Sequence, residues 1–286
     1  MNNRKGGKVK INWLIEKDIF FDTEELMCKE IRKQNHNFYL FKYIPVVCEI
    51  EKLPFSDQDC IIFYGSLNAA TVLDRKFNFI PGVFGAFSNY KCSTYYNYFL
   101  QYLLNKDFQF IAYKNLIQEK DKIFSKFGVD NTIFIRPDSG LKPFTGRTIY
   151  TDEFEDIIQN EFTLYGDIVD ESLCVISSPK KIQSECRFII ADGKIITGCQ
   201  YRANGKHIES KEYDIEQKIF LKNILKNSSF RPDIIWVADT CKTAYEKIHL
   251  LEIGSFSCSG LYKCNLESIV RIVSELSNLI FLEKKK

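Results

Sequence analysis

The stretch SECRFIIADGKIITGCQYR, residues 184–202, reads as two β-rich arms around Asp192-Gly193. That dipeptide signals a type I′ turn, whose two central residues both need positive φ. With a side-chain period of two, Glu185, Arg187 and Ile189 point one way. On the returning arm Cys199 and Tyr201 share one face, and Gln200 and Arg202 the other. A Glu and an Arg amid apolar neighbours on a strand are costly unless paired. Two readings stand: a cross-strand pair on a solvated face, or an arginine aimed into a cleft at an anion. Either way, the hairpin predicts a unit dominated by antiparallel strands.

Working outward, DIIWVAD (233–239) and IHLLEIG (248–254) read as strands that each end on a lone carboxylate, Asp239 and Glu252. Acids delivered side by side by apolar strands suit a hard cation held beside phosphates. The plainer alternative pairs Glu252 with a nearby Lys and leaves Asp239 to cap a turn. Upstream, FIRPDSGLKPFTGRTI (134–149) joins two strands, TIFIRP and RTIYTDEF, through a loop with Gly140, Gly146 and Lys142. It reads either as a polar hairpin loop or as a flap over a phosphate, since glycines allow close backbone approach. SLCVISS (172–178) is a further strand. DIEQKIFLKNILKN (214–227) and NLESIVRIVSELSNLIFLE (265–283) have helical period, the latter capped by Asn265.

Before residue 128 the pattern changes. Strands at 10–16, 38–44, 60–66, 78–85 and 108–113 alternate with helices at 22–34 (capped by Asp22), 93–105 (capped by Ser93) and 115–127. Such alternation predicts a small parallel sheet with helices on its faces. Hence two domains are expected, an α/β unit over 1–128 and an α+β unit over 129–286.

With 39 basic and 37 acidic residues the net charge is only +2, so neither a nucleic acid nor an acidic partner is demanded. The ten cysteines form no C-x-x-C pair and several sit in apolar runs, which reads as packing in a reducing compartment rather than zinc ligation. No run is long enough for a signal peptide or a membrane span, so a cytoplasmic protein is expected, with the basic ends (Arg4, Lys5, Lys8, Lys10 and 284–286) as solvated tails. The Tyr95-Tyr96-Asn97-Tyr98-Phe99 run is explained by core packing more cheaply than by a binding surface.

In order and wording, FIRPDSGLKPFTG, VISSPKKIQSECRFIIADGKIITGCQYR and VADT…LLEIGSFSCSGLY resemble the ATP-grasp superfamily. They are closest to a divergent clade that includes bacterial and viral proteins and a eukaryotic assembly chaperone for a translation initiation factor. The resemblance spans about residues 130–282, and 1–128 looks like the Rossmann-like pre-ATP-grasp domain of that superfamily. It implies that Arg136 lies on the nucleotide phosphates, with Lys142 and the 139–146 loop above them. Val175, Ile176, Ser177 and Ser178 would form the adenine hinge, followed by Lys180 and Lys181, and Glu185 would join the cofactor site. Arg187 and Arg202 would face the terminal phosphate or an acyl-phosphate, and Asp239 and Glu252 would hold Mg²⁺. The family commonly has E-x-N at the last strand. Here Gly254 replaces the Asn, leaving Ser255, Ser257 or water to substitute. The implied activity is an ATP-dependent carboxylate–amine (or carboxylate–thiol) ligase acting on a peptide or protein. The alternatives are an ATP-binding assembly factor with little turnover and an interaction protein that binds no nucleotide.

Overall fold

A computed structural model describes residues 9–47, 49–56, 58–162 and 168–286. Arg4, Lys5, Lys8 and Cys48 lie outside the described residues. Apolar runs rich in β-branched and aromatic residues supply the first sheet: β1 (Ile11–Glu16), β2 (Asn37–Phe41), β5 (Cys60–Tyr64) and β6 (Ile80–Gly82). All its pairings are parallel, in the order β2-β1-β5-β6. Two short strands, β3 (Tyr43–Ile44) and β4 (Glu49–Ile50), form a separate ladder. Helices α1 (Phe21–Lys33) and α2 (Leu67–Lys76) flank the parallel sheet. Asp22 does not cap α1: Phe20 holds that position, and Asp22 sits in the first turn, where a carboxylate suits the helix dipole.

Two antiparallel sheets follow. The second sheet has the order β7-β10-β8-β9, from β7 (Phe108–Ala112), β8 (Thr132–Pro137), β9 (Arg147–Tyr150) and β10 (Leu173–Ser177). The strand at 108–112, read from sequence with the parallel unit, instead pairs antiparallel with β10. Apolar alternation gives a strand its propensity but not its partner. The third sheet holds β11 (Ile182–Ala191), β12 (Lys194–Ala203), β13 (Lys206–Ser210), β14 (Ile235–Thr243) and β15 (Ile248–Ser255), in the order β13-β12-β11-β14-β15. Asp192 and Gly193 have φ of 47° and 70° at the hairpin turn, as the sequence requires.

Four further helices pack on these sheets: α3 (Cys92–Phe99), α4 (Lys120–Phe127), α5 (Ile215–Asn227) and α6 (Leu266–Lys284). Asn265 caps α6 by accepting from Ser268 N at 2.8 Å. Ser93 does not cap α3. Asp138, just past β8, takes that place, its Oδ1 accepting from Ser93 N (2.6 Å) and its Oδ2 from the Ser93 hydroxyl (2.8 Å). Helix α6 lies between the first and third sheets, with Val270 and Val273 against Trp13, Ile15, Ile189 and Val237. The other face of the third sheet, with Phe188, Ile190 and Trp236, meets Leu221 and Ile224 of α5 and Tyr95 and Phe99 of α3. Each such fully buried large apolar side chain contributes about 1.5–3 kcal/mol. Tyr95, Tyr96 and Phe99 are therefore core, while Tyr98 stays half exposed and stacks on Phe230. Among the described residues no helix is long and apolar enough to cross a membrane.

Candidate active site

The second and third sheets face each other with charged side chains between them. On β8 the alternation sends Ile133 and Ile135 into the core beneath α4 and Arg136 to the opposite face. Arg136 Nη2 donates to Glu252 Oε2 at 3.1 Å, bridging the two sheets. Lys142, on the loop after β8, donates to both oxygens of Glu252 at 3.2 Å. A Cβ at Gly146 would lie 3.0 Å from Arg136 Cβ, so a glycine lets the returning chain pass closely over that arginine. A Cβ at Gly140 would lie 2.6 Å from the Phe87 carbonyl oxygen, so the other side of the loop also needs glycine.

Register builds the third sheet's contribution. Arg187 on β11 stands opposite Asp239 on β14, and Asp239 opposite Glu252 on β15. Three neighbouring strands thus carry an Arg–Asp–Glu row. Arg187 Nε donates to Asp239 Oδ1 (2.8 Å) and Nη2 to Oδ2 (2.6 Å), a fork-to-fork pair. Its Nη1 donates to the Gly260 carbonyl at 2.8 Å. Its guanidinium lies over the rings of Tyr201 (5.5 Å) and Tyr262 (5.0 Å). Those two rings stack at 4.8 Å and 6°. Glu185 accepts from the Tyr201 hydroxyl at 2.6 Å, and Arg202 approaches its other oxygen at 3.6 Å.

The electrostatics follow from this pairing. Burial alone would raise the Glu252 carboxyl, but the charges of Lys142, Arg136 and Arg187 outweigh it and hold it at about 2. Burial pushes the Asp239 carboxyl upward, against the charge and hydrogen bonds of Arg187 and with the Glu252 charge adding to the rise. Burial also raises Glu185, which Tyr201 and Arg202 offset only in part.

The sequence-derived residues are thus brought together in large part. Arg136, Lys142, Glu185, Arg187, Arg202, Asp239 and Glu252 share one cleft. The hinge residues differ. Val175, Ile176 and Ser177 form the middle of β10, paired with β7 on one side and β8 on the other. Their backbone groups are spent in the ladders, so the chain outside the sheet begins at Ser178. There Ser178 N donates to Asp107 (3.3 Å), and Lys180 donates to both Asp107 oxygens (2.7 and 2.9 Å). Arg187 is wholly engaged by Asp239 and Gly260 instead of projecting into the cleft. Ser255 and Ser257 are not spare oxygens either: Ser255 Oγ donates to Phe84 O (2.7 Å), and Ser257 Oγ accepts from Phe84 N (2.9 Å). The sequence reading missed Tyr262, the Gly260 carbonyl and the capping role of Asp138. The Gly260-Leu261-Tyr262 run after β15 gave no sign of the first two, because their partner Arg187 lies more than 70 residues earlier.

This arrangement of two antiparallel sheets around a charged cleft matches known proteins. A family described as an ATP-grasp domain, the second family of its clade, matches residues 117–272, more than half of the chain, and the chain belongs to it. No curated protein matches the sequence. Among solved structures, D-cycloserine synthetase DcsG is 10% identical with TM-score 0.64, over 93% of this chain and 99% of that one. D-alanyl-alanine synthetase A from Vibrio cholerae is 12% identical with TM-score 0.60, over 96% and 99%. The ATP-grasp ligase PsnB, complexed with a minimal precursor, is 10% identical with TM-score 0.54, over 94% and 99%. At these identities the likeness is one of fold: a mixed α/β chain with the antiparallel sheets of ATP-grasp ligases.

Proposed function

We propose that this protein is an ATP-dependent ligase that joins a carboxylate to an amine, or to a thiol, through an acyl-phosphate, and that it acts on a peptide or protein. The observation that carries this reading is the meeting of Arg136 and Lys142 with the Arg187–Asp239–Glu252 row across the cleft. Phosphoryl transfer needs mainly positioning and charge neutralisation, which such a cluster supplies without a protein nucleophile. Arg136 fits a phosphate ligand: its Nε is buried with no hydrogen-bond partner, leaving a donor to spare. Lys142, 41% exposed, is the mobile cation of the pair and would follow the phosphates as the 139–146 loop covers them. Arg202, half exposed at the cleft edge, is free to meet the carboxylate that becomes activated. Ser178, Lys180 and Lys181, where the chain leaves β10, would offer the hinge to adenine.

Asp239 and Glu252 would hold Mg²⁺. Their donor chemistry fits: two hard carboxylates on facing positions of adjacent strands, with phosphates and water completing the shell. Bound there, Mg²⁺ would neutralise charge on the transferring phosphoryl group. Among the described residues no cluster of three or more potential ligand side chains exists, so the protein's share of that shell is small.

The acceptor reading draws on solved relatives of like fold. PsnB has been captured with a precursor peptide and AMPPNP. We read the parallel sheet as the Rossmann-like domain that precedes the ATP-grasp domain. A division at 128 would cut the second sheet, whereas one before Phe108 keeps both sheets whole. A cytoplasmic setting suits the nine free cysteines among the described residues.

A second reading, an ATP-binding assembly factor with little turnover, is favoured by Gly254. It brings no side-chain oxygen, and the nearby Ser255 and Ser257 are committed to Phe84. The discriminating experiment follows ADP release from Mg²⁺-ATP while peptides bearing free carboxylates and amines are added. Release that depends on both groups supports the ligase. Saturable ATP binding without release supports the assembly factor, and absence of binding contradicts both.

A further inference from the structure

We propose that Cys199 and Cys264 are a peroxide-sensitive thiol pair, converted by a small hydroperoxide into a disulfide that staples the 259–265 loop to β12 behind Arg187. Their sulfurs lie 3.3 Å apart, the one thiol–thiol contact among the described cysteines. The other sulfurs with a polar neighbour meet oxygens, as Cys60 meets the Ser277 carbonyl (3.7 Å) and Cys258 the Ser66 carbonyl (3.8 Å). The two backbones are held together on both sides of the thiols. Asn265 N donates to Thr197 Oγ1 at 3.0 Å, and Cys199 Sγ donates to the Leu261 carbonyl at 3.9 Å. A disulfide bond of about 2.05 Å therefore asks the sulfurs to close by roughly 1.3 Å, a side-chain rotation rather than a backbone movement. The hydrogen bond from Cys264, outweighing burial, also draws the Cys199 thiol below the ordinary cysteine value, toward the reactive thiolate.

Burial selects the oxidant. Cys199 is fully buried and Cys264 only 4% exposed, so a bulky disulfide such as oxidised glutathione is excluded, whereas hydrogen peroxide is close to water in size. One thiolate attacks the peroxide, the O–O bond breaks, and a sulfenic acid and hydroxide form. The second thiol attacks the sulfenic sulfur; the S–S bond forms, the S–O bond breaks and water leaves. Two thiols lose two electrons and two protons, and the peroxide is reduced to two waters. The stapled loop carries Gly260, whose carbonyl holds Arg187, and Tyr262, stacked on Tyr201. Oxidation would thus lock the frame around Arg187.

The test treats the reduced full-length protein with hydrogen peroxide, then denatures and alkylates it. The expected result is an intact mass lower by two hydrogens before alkylation and uptake of two fewer alkyl groups than the ten of the reduced chain. Peptide mapping should join Cys199 to Cys264. The thermal midpoint should rise by several degrees and return with dithiothreitol, because the bond closes a 65-residue loop. Oxidised glutathione should leave all ten thiols free, and Cys199→Ser and Cys264→Ser should each lose the bond. Ten alkyl groups after peroxide, a bond mapped to other cysteines, or an unchanged deficit in either variant would overturn the proposal. Mapping of the wild-type chain decides even if a variant fails to fold.

Discussion

The Arg187–Asp239 pair joins neighbouring strands within the third sheet, whereas Glu252, one strand further along, reaches out of that sheet to Arg136 and Lys142 of the second. The first pair is dry, bidentate and roofed by two tyrosine rings. The second is 23% exposed at Glu252 and held by single, longer contacts. A buried fork-to-fork pair is part of the sheet and survives ligand binding. A contact between two sheets across a cleft is what an incoming polyphosphate would displace. The comparison separates residues that build the site from residues that work in it.

The largest expected effect comes from breaking the inner pair. Asp239→Ala leaves Arg187 buried without a counter-charge and should cost about 3–5 kcal/mol in denaturant unfolding. Glu252→Gln should cost far less, and an equal loss for both would erase the distinction. Next, Arg136→Ala should weaken ATP binding about tenfold to a hundredfold, the loss of charged hydrogen bonds worth about 1.5–3 kcal/mol, with a smaller loss of stability than Asp239→Ala. Isothermal titration of both variants checks this.

The pH dependence sharpens the outer contact. Glu252 sits at about 2 in the folded protein against an ordinary 4.5. A lowered carboxyl contributes stability above its unfolded value and loses it as pH falls through the folded one. The stability difference between wild type and Glu252→Gln should therefore be flat above about pH 5 and shrink between about 4.5 and 2. A difference that shrinks near neutral pH would contradict the pairing. The smallest effect is expected from Gly254→Asn. A Cβ there would meet only Ser259 Oγ at 3.5 Å, so stability should stay within about 0.5 kcal/mol of wild type. The added oxygen should steepen the Mg²⁺ dependence of the ATP-induced thermal shift.

The same contrast explains what was legible in the sequence. Local chemistry was readable: the Asp192-Gly193 turn, the Asn265 cap, and the period that set Glu185 and Arg187 on one face. Partners set by long-range register were not. The sequence suggested that Arg187 faces an anion, but its anion proved to be Asp239, 52 positions away. Helix α2 escaped notice although Ser66 caps it, accepting from Ala69 N, and its apolar residues have helical spacing. Strand β13 was also missed, a short polar edge strand without alternation. The hinge was placed one element early because VISS looks like free chain until β10 is seen to be flanked on both sides.

The most direct measurement is thermal unfolding of wild type and Arg136→Ala with ATP, with ADP and with neither, each with and without Mg²⁺. At a hundredfold excess over Kd, binding to the native state adds about 2.7 kcal/mol, or several degrees. The account predicts a Mg²⁺-dependent rise with ATP in wild type that Arg136→Ala loses. No rise in wild type, or an undiminished rise in the variant, would contradict a nucleotide cleft built on Arg136.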